Sequence, residues 1–131
     1  MDNNERIKLL IIDDNPTVLN TLYDILRPQN FKVLVAKNGE TGFQRAISGN
    51  PDFVLLDIML PDIDGFQTCK RLKMDERTKH IPVIFISALS NDNDIVKAFE
   101  SGAVDYITKP IYEGELLARI RTHLALNKNQ K

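Results

Sequence analysis

Five short runs of apolar residues, many of them β-branched or aromatic, alternate along this chain with segments whose apolar residues follow a helical period. The runs cover residues 9–12, 31–36, 53–56, 83–86 and 106–108. After the first run, Val18, Leu22 and Ile25 share one helical face, and the later segments repeat this spacing. Because parallel strands require helical crossovers, the alternation predicts an α/β fold, a (βα)5 domain with helices on both faces of a five-stranded parallel sheet.

The composition of the runs indicates the order of the strands. The first, third and fourth runs are apolar at every position, as is typical of strands that are covered on both faces. The second run contains Lys32 and the fifth is very short, which suits the two edges of a sheet. We therefore predict a doubly wound, flavodoxin-like sheet with the strand order 2-1-3-4-5. In such a sheet, ligands bind beyond the carboxyl ends of the first and third strands.

The size and charge of the chain limit its organisation. Its 131 residues fit one domain, which we place over residues 1–126, with residues 127–131 as a polar tail or the start of a linker. The formal net charge of −1 predicts that the chain does not bind nucleic acid directly. The first apolar run is too short for a membrane span or a signal peptide, and Cys69 is the single cysteine. These features predict a cytoplasmic protein that does not enter the membrane.

Polar side chains of complementary chemistry follow four of the five predicted strands. In chain order they are Asp13, Asp14, Asp57, Ser87 and Lys109. Each one alone could be a helix cap, a turn residue or a surface lysine. Because the carboxyl ends of parallel strands meet at one edge of the sheet, we expect all of them to converge there.

Three clustered carboxylates cost stability unless a cation joins them. Two unit charges about 4 Å apart repel by about 1 kcal/mol in water and about 4 kcal/mol near a protein surface. The cation could be Lys109, a metal ion or both. Oxygen ligands without histidine or cysteine favour Mg²⁺, for which Mn²⁺ could substitute. A carboxylate can also attack a phosphoryl group, whose charge the metal and the lysine would neutralise.

The segments that contain these residues resemble the receiver domains of two-component response regulators, including the chemotaxis regulators. The match consists of LLIIDDN at 9–15, PDFVLLDIMLPDIDG at 51–65, IPVIFISA at 81–88 and GAVDYITKP at 102–110. Together the segments extend the resemblance over roughly residues 7–126. The resemblance implies a phosphorylation-dependent switch that is not itself an enzyme.

The resemblance also implies a role for each matching residue. Asp57 would be the phosphoacceptor in a Mg²⁺-dependent reaction. The implied metal ligands are Asp13, Asp14, Asp57 and the backbone carbonyl of Met59. The implied contacts to the phosphoryl group are Lys109, Ser87 and the backbone N–H of Ala88.

Two further positions match the switch of the family. Ser87 and Tyr106 would move together on phosphorylation, and the bond between Lys109 and Pro110 would be cis. Met59 and Leu89 match positions that border the water attacking the phosphorylated aspartate. Because both side chains are apolar, we predict slow loss of the phosphoryl group.

The family implies partners as well. The phosphoryl donor would be a histidine kinase or a histidine phosphotransfer protein. Phosphorylation would change the surface of the fourth helix, fifth strand and fifth helix. Through that surface the domain could form a homodimer or control a C-terminal output domain that is missing from this chain. Asp105, Glu115 and Arg119 fit part of the charge pattern of dimers that bind DNA, whereas Ile95 and Val104 do not.

Three other functions were weighed on the same residues. A phosphatase of the haloacid dehalogenase type would carry an aspartate where this chain has Met59. A flavodoxin-like electron carrier would need a hydroxyl- and glycine-rich phosphate loop after the first strand, in place of the acidic one. A pure interaction module would not need the complete set of residues. We interpret His80, His123 and Cys69 as structural.

Overall fold

The structure, a computed structural model, describes residues 6–129 of the chain. The strands are β1 (Lys8–Ile12), β2 (Lys32–Ala36), β3 (Phe53–Leu56), β4 (Val83–Ser87) and β5 (Asp105–Thr108). The α-helices are α1 (Pro16–Leu26), α2 (Gly39–Gly49), α3 (Gly65–Met74), α4 (Asp92–Glu100) and α5 (Glu113–Asn129). A 3-10 turn, Arg27–Gln29, follows α1.

All neighbouring strands are parallel, and the order in the sheet is β2-β1-β3-β4-β5. The predicted fold and strand order are therefore confirmed. The predicted strand bounds differ by a residue at several ends, and Ser87 is the last residue of β4. Helix α5 continues to Asn129, three residues past the proposed boundary at 126. Among residues 6–129, no helix combines the length and apolar character needed to cross a membrane.

The sheet separates two apolar layers, as expected for a sheet that is covered on both faces. One layer joins alternate strand residues such as Leu10, Val54 and Phe85 to helices α2, α3 and α4. The other joins Leu9, Leu55 and further strand residues to α1 and α5. Strands β1, β3 and β4 contribute to both layers, and every residue of β3 and β4 is buried. Burial on both faces makes the central strands a rigid support for the residues at their carboxyl ends.

Polar caps start the helices just beyond the strands. The Asn15 side chain accepts the N–H of Thr17 at 2.9 Å, and Pro16 is the first residue of α1. Asn38 and Asp64 cap α2 and α3 in the same way. These caps fix where each loop at the carboxyl edge of the sheet ends. At the far end of α4, Gly102 has a φ of 110°, which favours glycine and marks the end of that helix.

Candidate functional site

Asp13 and Asp57 lie side by side at the carboxyl edge of the sheet. They follow Ile12 and Leu56, which are paired across β1 and β3. The N–H of Asp57 donates to the carbonyl of Ile12 at 3.0 Å, so the strand register continues into the site. Asp13 is 2% exposed and Asp57 is 8% exposed. The register of two buried strands therefore places two carboxylates next to each other.

The third carboxylate, that of Asp14, completes the cluster. Asp14 is exposed, and one carboxylate oxygen from each of Asp13, Asp14 and Asp57 lies within 4.8 Å of the others. The ammonium of Lys109 enters the cluster from the end of β5. Its Nζ lies 3.4 Å from Oδ2 of Asp13 and 3.4 Å from Oδ2 of Asp57. One ammonium thus faces a group of three carboxylates.

The two buried carboxylates are held in the same way. Oδ1 of Asp13 accepts the N–H of Asn15 at 2.9 Å, and Oδ1 of Asp57 accepts the N–H of Ile58 at 2.8 Å. In each residue the backbone holds Oδ1, while Oδ2 faces Lys109. The carboxylates are therefore oriented by the main chain before any ligand binds.

The cluster holds three carboxylates and one ammonium, and the pKa of its most buried carboxyl, that of Asp13, is raised. Burial raises the pKa of this carboxyl, and the neighbouring Asp57 raises it further. The N–H of Asn15 and the ammonium of Lys109 act in the opposite direction but do not overcome the increase. A further cation would stabilise this group of charges. The donors are all oxygens, which fits a hard cation such as Mg²⁺.

Ser87 and Tyr106 meet at the backbone of Leu89. The hydroxyl of Ser87 accepts the N–H of Leu89 at 3.2 Å, and the hydroxyl of Tyr106 donates to the carbonyl of Leu89. Tyr106 is 9% exposed, and its ring stacks on Phe85 with centroids 6.3 Å apart. The tyrosine therefore points inward in this structure. Burial also raises the pKa of its phenol.

The loop after β3 turns sharply behind Asp57. The N–H of Gly65 donates to the carbonyl of Ile58 at 2.7 Å, and a Cβ at position 65 would overlap the backbone of Asp57 and Ile58. Glycine is therefore required there. Met59 is exposed on this loop, and Ala88 is exposed directly after β4.

The predicted residues fall into two groups in the structure. Asp13, Asp14, Asp57 and Lys109 form one cluster, whereas Ser87 and Tyr106 are linked to each other through Leu89. The peptide bond between Lys109 and Pro110 is cis. The roles given above to these residues, to Met59 and to Ala88 remain proposals.

Two polar contacts in the structure are not apparent from the sequence. Asp62, in the loop after β3, accepts hydrogen bonds from the backbone of Gly39 and Glu40. Nothing in the linear sequence indicates this contact, because 23 and 22 residues separate the partners.

The second of these contacts joins α5 to the first residue of β5. His123, which we interpreted only as structural, has its Nε2 3.1 Å from Oδ2 of Asp105. Arg119 donates to both oxygens of the same carboxylate at 2.9 Å. The four-residue spacing of Glu115, Arg119 and His123 was the available signal, since residues four apart share a helix face.

Comparison with known proteins agrees with this geometry. A family model described as the response regulator receiver domain matches residues 9–121. The chain is 43% identical over 117 residues to the DNA-binding dual master transcriptional regulator RpaA of Synechocystis. This match covers 89% of this chain and 48% of RpaA. It is 40% identical over 115 residues to the response regulator PleD of Caulobacter vibrioides, covering 88% of this chain and 25% of that protein.

A shorter relative and a solved structure match over nearly their whole length. The chain is 40% identical over 118 residues to the protein PilH of Pseudomonas aeruginosa, covering 90% of this chain and 98% of PilH. The BeF3-activated receiver domain of RstA from Klebsiella pneumoniae superposes with a TM-score of 0.82 at 33% identity. That superposition covers 89% of this chain and 97% of the RstA domain.

The chain spans about half of RpaA and a quarter of PleD, and in both the shared part is of the size of one domain. The family match covers residues 9–121, which include all the clustered carboxylates and Lys109. The chain therefore belongs to the receiver domain family of two-component response regulators.

Proposed function

We propose that Asp57 accepts a phosphoryl group from a phosphohistidine of a histidine kinase or a histidine phosphotransfer protein. The observation that carries this proposal is the common geometry of Asp13 and Asp57, whose Oδ1 atoms are held by the backbone while their Oδ2 atoms face Lys109. In the reaction, a carboxylate oxygen of Asp57 forms a bond to phosphorus as the bond from phosphorus to the donor nitrogen breaks. The electron pair of that bond stays on the imidazole.

A divalent cation fits the proposed site. The residues that would hold it are Asp13, Asp14, Asp57 and the backbone carbonyl of Met59. Mg²⁺ would neutralise charge that develops on the transferring group, and Mn²⁺ could replace it. The grouping of three carboxylates around a single ammonium supports this assignment. The protein contributes orientation, because the main chain already holds both buried carboxylates.

Lys109, Ser87 and the N–H of Ala88 would contact the phosphoryl oxygens. Lys109 already lies 3.4 Å from Oδ2 of Asp57, so a phosphoryl group on that carboxylate would be within reach of its ammonium. Ser87 ends the neighbouring strand, and its hydroxyl, which now accepts the N–H of Leu89, would turn to donate to a phosphoryl oxygen. Such charge-assisted hydrogen bonds contribute about 1.5–3 kcal/mol each.

Phosphorylation would be communicated through Leu89. A hydroxyl of Ser87 that turns toward the phosphoryl group would pull on the loop that the phenol of Tyr106 also holds. The surface formed by α4, β5 and α5 would then change, and the domain would favour a different partner, a homodimer or an output domain. A shift of this equilibrium from 1:99 to 99:1 requires about 5.5 kcal/mol. Two or three charge-assisted hydrogen bonds are of that size.

The output of the switch is proposed from the relatives. RpaA is named as DNA-binding and is about twice as long as this chain, whereas PilH has nearly the same length. The same domain thus occurs in long and short proteins. We propose that phosphorylation here controls a partner or an attached output domain, and that the domain does not itself bind nucleic acid.

Asp57→Asn tests the proposal, with Asp52→Asn as its matched control. Asp52 is exposed and accepts the N–H of Lys8 at the opposite end of the sheet. Incubation with acetyl phosphate and Mg²⁺, followed by intact mass spectrometry, should show one added phosphoryl group on the wild type and on Asp52→Asn. Asp57→Asn should remain unmodified, and equal modification of that variant would refute the assignment.

A further inference from the structure

The carboxylate of Asp62 joins the loop after β3 to the first turn of α2. Its Oδ1 accepts the N–H of Gly39 at 2.7 Å, and its Oδ2 accepts the N–H of Glu40 at 2.8 Å. Amides in the first turn of a helix have no partner within the helix, so one side chain satisfies two of them. Burial alone would raise the pKa of Asp62, but these hydrogen bonds outweigh it and lower the pKa. The carboxylate is therefore ionised at neutral pH.

Helix α2 is a firm support for this contact. Gly42 lies so close to Ile12 that a Cβ at position 42 would be 2.5 Å from the Cδ1 atom of Ile12. Ile12 is fully buried and directly precedes Asp13. On its other side, α2 is tied to α3 by an ion pair of 2.6 Å between Glu40 and Arg71. A group that is bound to the start of α2 is thus fixed relative to β1 and to the candidate metal site.

Hydrogen bonds to Asp62 join the middle of the loop to α2, where Ile63 also packs beside Gly39. Ile58 is 5% exposed, and its carbonyl accepts the N–H of Gly65, so the ends of the loop are held. Met59, between them, is 66% exposed. Within the described chain, the two hydrogen bonds that join residues 59–63 to a helix or strand are both accepted by the Asp62 carboxylate. The side chain of Leu60 packs against the core, but that apolar contact does not orient the carbonyl of Met59.

We infer that Asp62 is a positioning residue, which holds the Met59 carbonyl in place for a divalent cation by tying the loop to α2. This inference rests on the proposed function, in which that carbonyl is a metal ligand. Residues that orient metal ligands typically change metal affinity by about 10–100-fold when they are replaced. We expect about tenfold here, because Asp62 is exposed and acts on a single ligand.

Asp64 offers a matched control on the same loop. It is exposed like Asp62, and its Oδ1 accepts the N–H of Gln67 at 2.8 Å as the cap of α3. Asn caps a helix about as well as Asp, so Asp64→Asn removes one negative charge and keeps the local hydrogen bond. Asp62→Asn removes the same charge but can accept only one of its two N–H groups. The pair separates the lost contact from the lost charge.

Mg²⁺ affinity measured by calorimetry is the first readout. We expect binding to be about tenfold weaker in Asp62→Ala, weakened to a smaller extent in Asp62→Asn, and within about twofold of the wild type in Asp64→Asn. Amide hydrogen exchange of the metal-free proteins is the second readout. Gly39, Glu40 and Met59 should exchange faster in the Asp62 variants but not in Asp64→Asn.

Two results would overturn the inference. Mg²⁺ affinity within twofold of the wild type in both Asp62 variants would show that the loop needs no such contact. Equal weakening in Asp62→Asn and Asp64→Asn would show an effect of charge alone. If Asp62→Ala does not fold, Asp62→Asn and its control still decide between these results. A wild type that binds no Mg²⁺ refutes instead the metal site of the proposed function, and with it this inference.

Discussion

The phenol of Tyr106 donates its hydrogen bond to the backbone carbonyl of Leu89, in the loop between β4 and α4. Since Leu89 also donates its N–H to the hydroxyl of Ser87, one residue connects the two proposed switch positions. The inward position of the tyrosine is thus already supported by a specific contact before any phosphoryl group is present. Loss of that contact should be measurable in the unphosphorylated domain.

Tyr106→Phe removes the hydroxyl and keeps the ring against Phe85. We expect the free energy of unfolding to fall by about 1 kcal/mol, the usual contribution of one hydrogen bond. Urea unfolding measures this change, and amide exchange of residues 88–91 should become faster. As a control, Tyr112→Phe removes the hydroxyl of an exposed tyrosine and should change neither quantity. Equal behaviour of the two variants would contradict a role for the contact with Leu89.

Much of this fold follows from the sequence pattern. Runs such as 53–56 and 83–86 are apolar throughout, so they predict strands that are buried on both faces. Parallel strands align their carboxyl ends. For this reason, the convergence of Asp13, Asp57 and Lys109 could be expected from the sequence alone. The convergence of these charges follows from the topology of the sheet. Its prediction therefore holds even when the predicted strand bounds are wrong by one residue.

Contacts between polar residues away from the carboxyl edge of the sheet could not be predicted. In the sequence, Asp62 resembles an ordinary turn residue. The amides of Gly39 and Glu40 come close to it only in the folded chain. His123 reads as a surface residue, but its partner Asp105 lies on β5. The four-residue spacing places Arg119 and His123 on one face of α5, but it does not identify Asp105 as their partner, because such pairs depend on how neighbouring elements rotate about their axes.

Asp13→Asn should stabilise the protein when no metal is present. The raised pKa of Asp13 means that folding favours the uncharged form of this side chain. We expect the free energy of unfolding at neutral pH to rise by about 1 kcal/mol, because a buried charge and its repulsion from Asp57 are removed. Added Mg²⁺ should stabilise the wild type more than the variant, because ligand binding stabilises the folded state. Chemical unfolding with and without Mg²⁺ tests both points, and destabilisation of the metal-free variant would contradict them.

Lys109→Met should strengthen the binding of Mg²⁺. The ammonium lies 3.4 Å from both buried carboxylates and competes with a second cation for them. Removing about 1 kcal/mol of repulsion between cations corresponds to roughly five- to tenfold tighter binding. Calorimetry measures the affinity, and Lys70→Met, at an exposed lysine of α3, is the control. Phosphorylation by acetyl phosphate should nevertheless slow, since the proposed contact to the phosphoryl group is lost. Weaker Mg²⁺ binding would contradict the prediction.

Asp105→Asn should lower stability in a way that depends on pH. Burial tends to raise the pKa of Asp105. Hydrogen bonds from the side chains of Arg119 and His123 and from the backbone N–H of Tyr106 outweigh it and lower the pKa. A lowered pKa contributes stability above the ordinary carboxyl range, and this contribution disappears as the pH falls through the lowered value. We expect a loss of about 0.5–1 kcal/mol at pH 7, because Arg119 is partly exposed.

Unfolding curves from about pH 7 down to about pH 3 test this dependence. The difference between the wild type and Asp105→Asn should stay constant down to the ordinary pKa of a carboxyl and then shrink. Arg119→Met removes the cation and should reduce the same pH dependence. A difference that grows as the pH falls would contradict the assigned sign.

Met59→Asn should shorten the lifetime of the phosphorylated domain. Met59 is 66% exposed beside Asp57, and Leu89 is the other apolar residue expected to border the attacking water. Neither side chain can orient that water, whereas an amide at position 59 can. We expect the lifetime of the phosphorylated domain to shorten on the order of tenfold. This effect is smaller than the rate increase of about 100-fold or more that a general base provides. Met59→Leu is the control, because it keeps an apolar side chain and should keep the lifetime. Loss of the phosphoryl group is followed by intact mass spectrometry, and an unchanged lifetime in Met59→Asn would refute the role of this position.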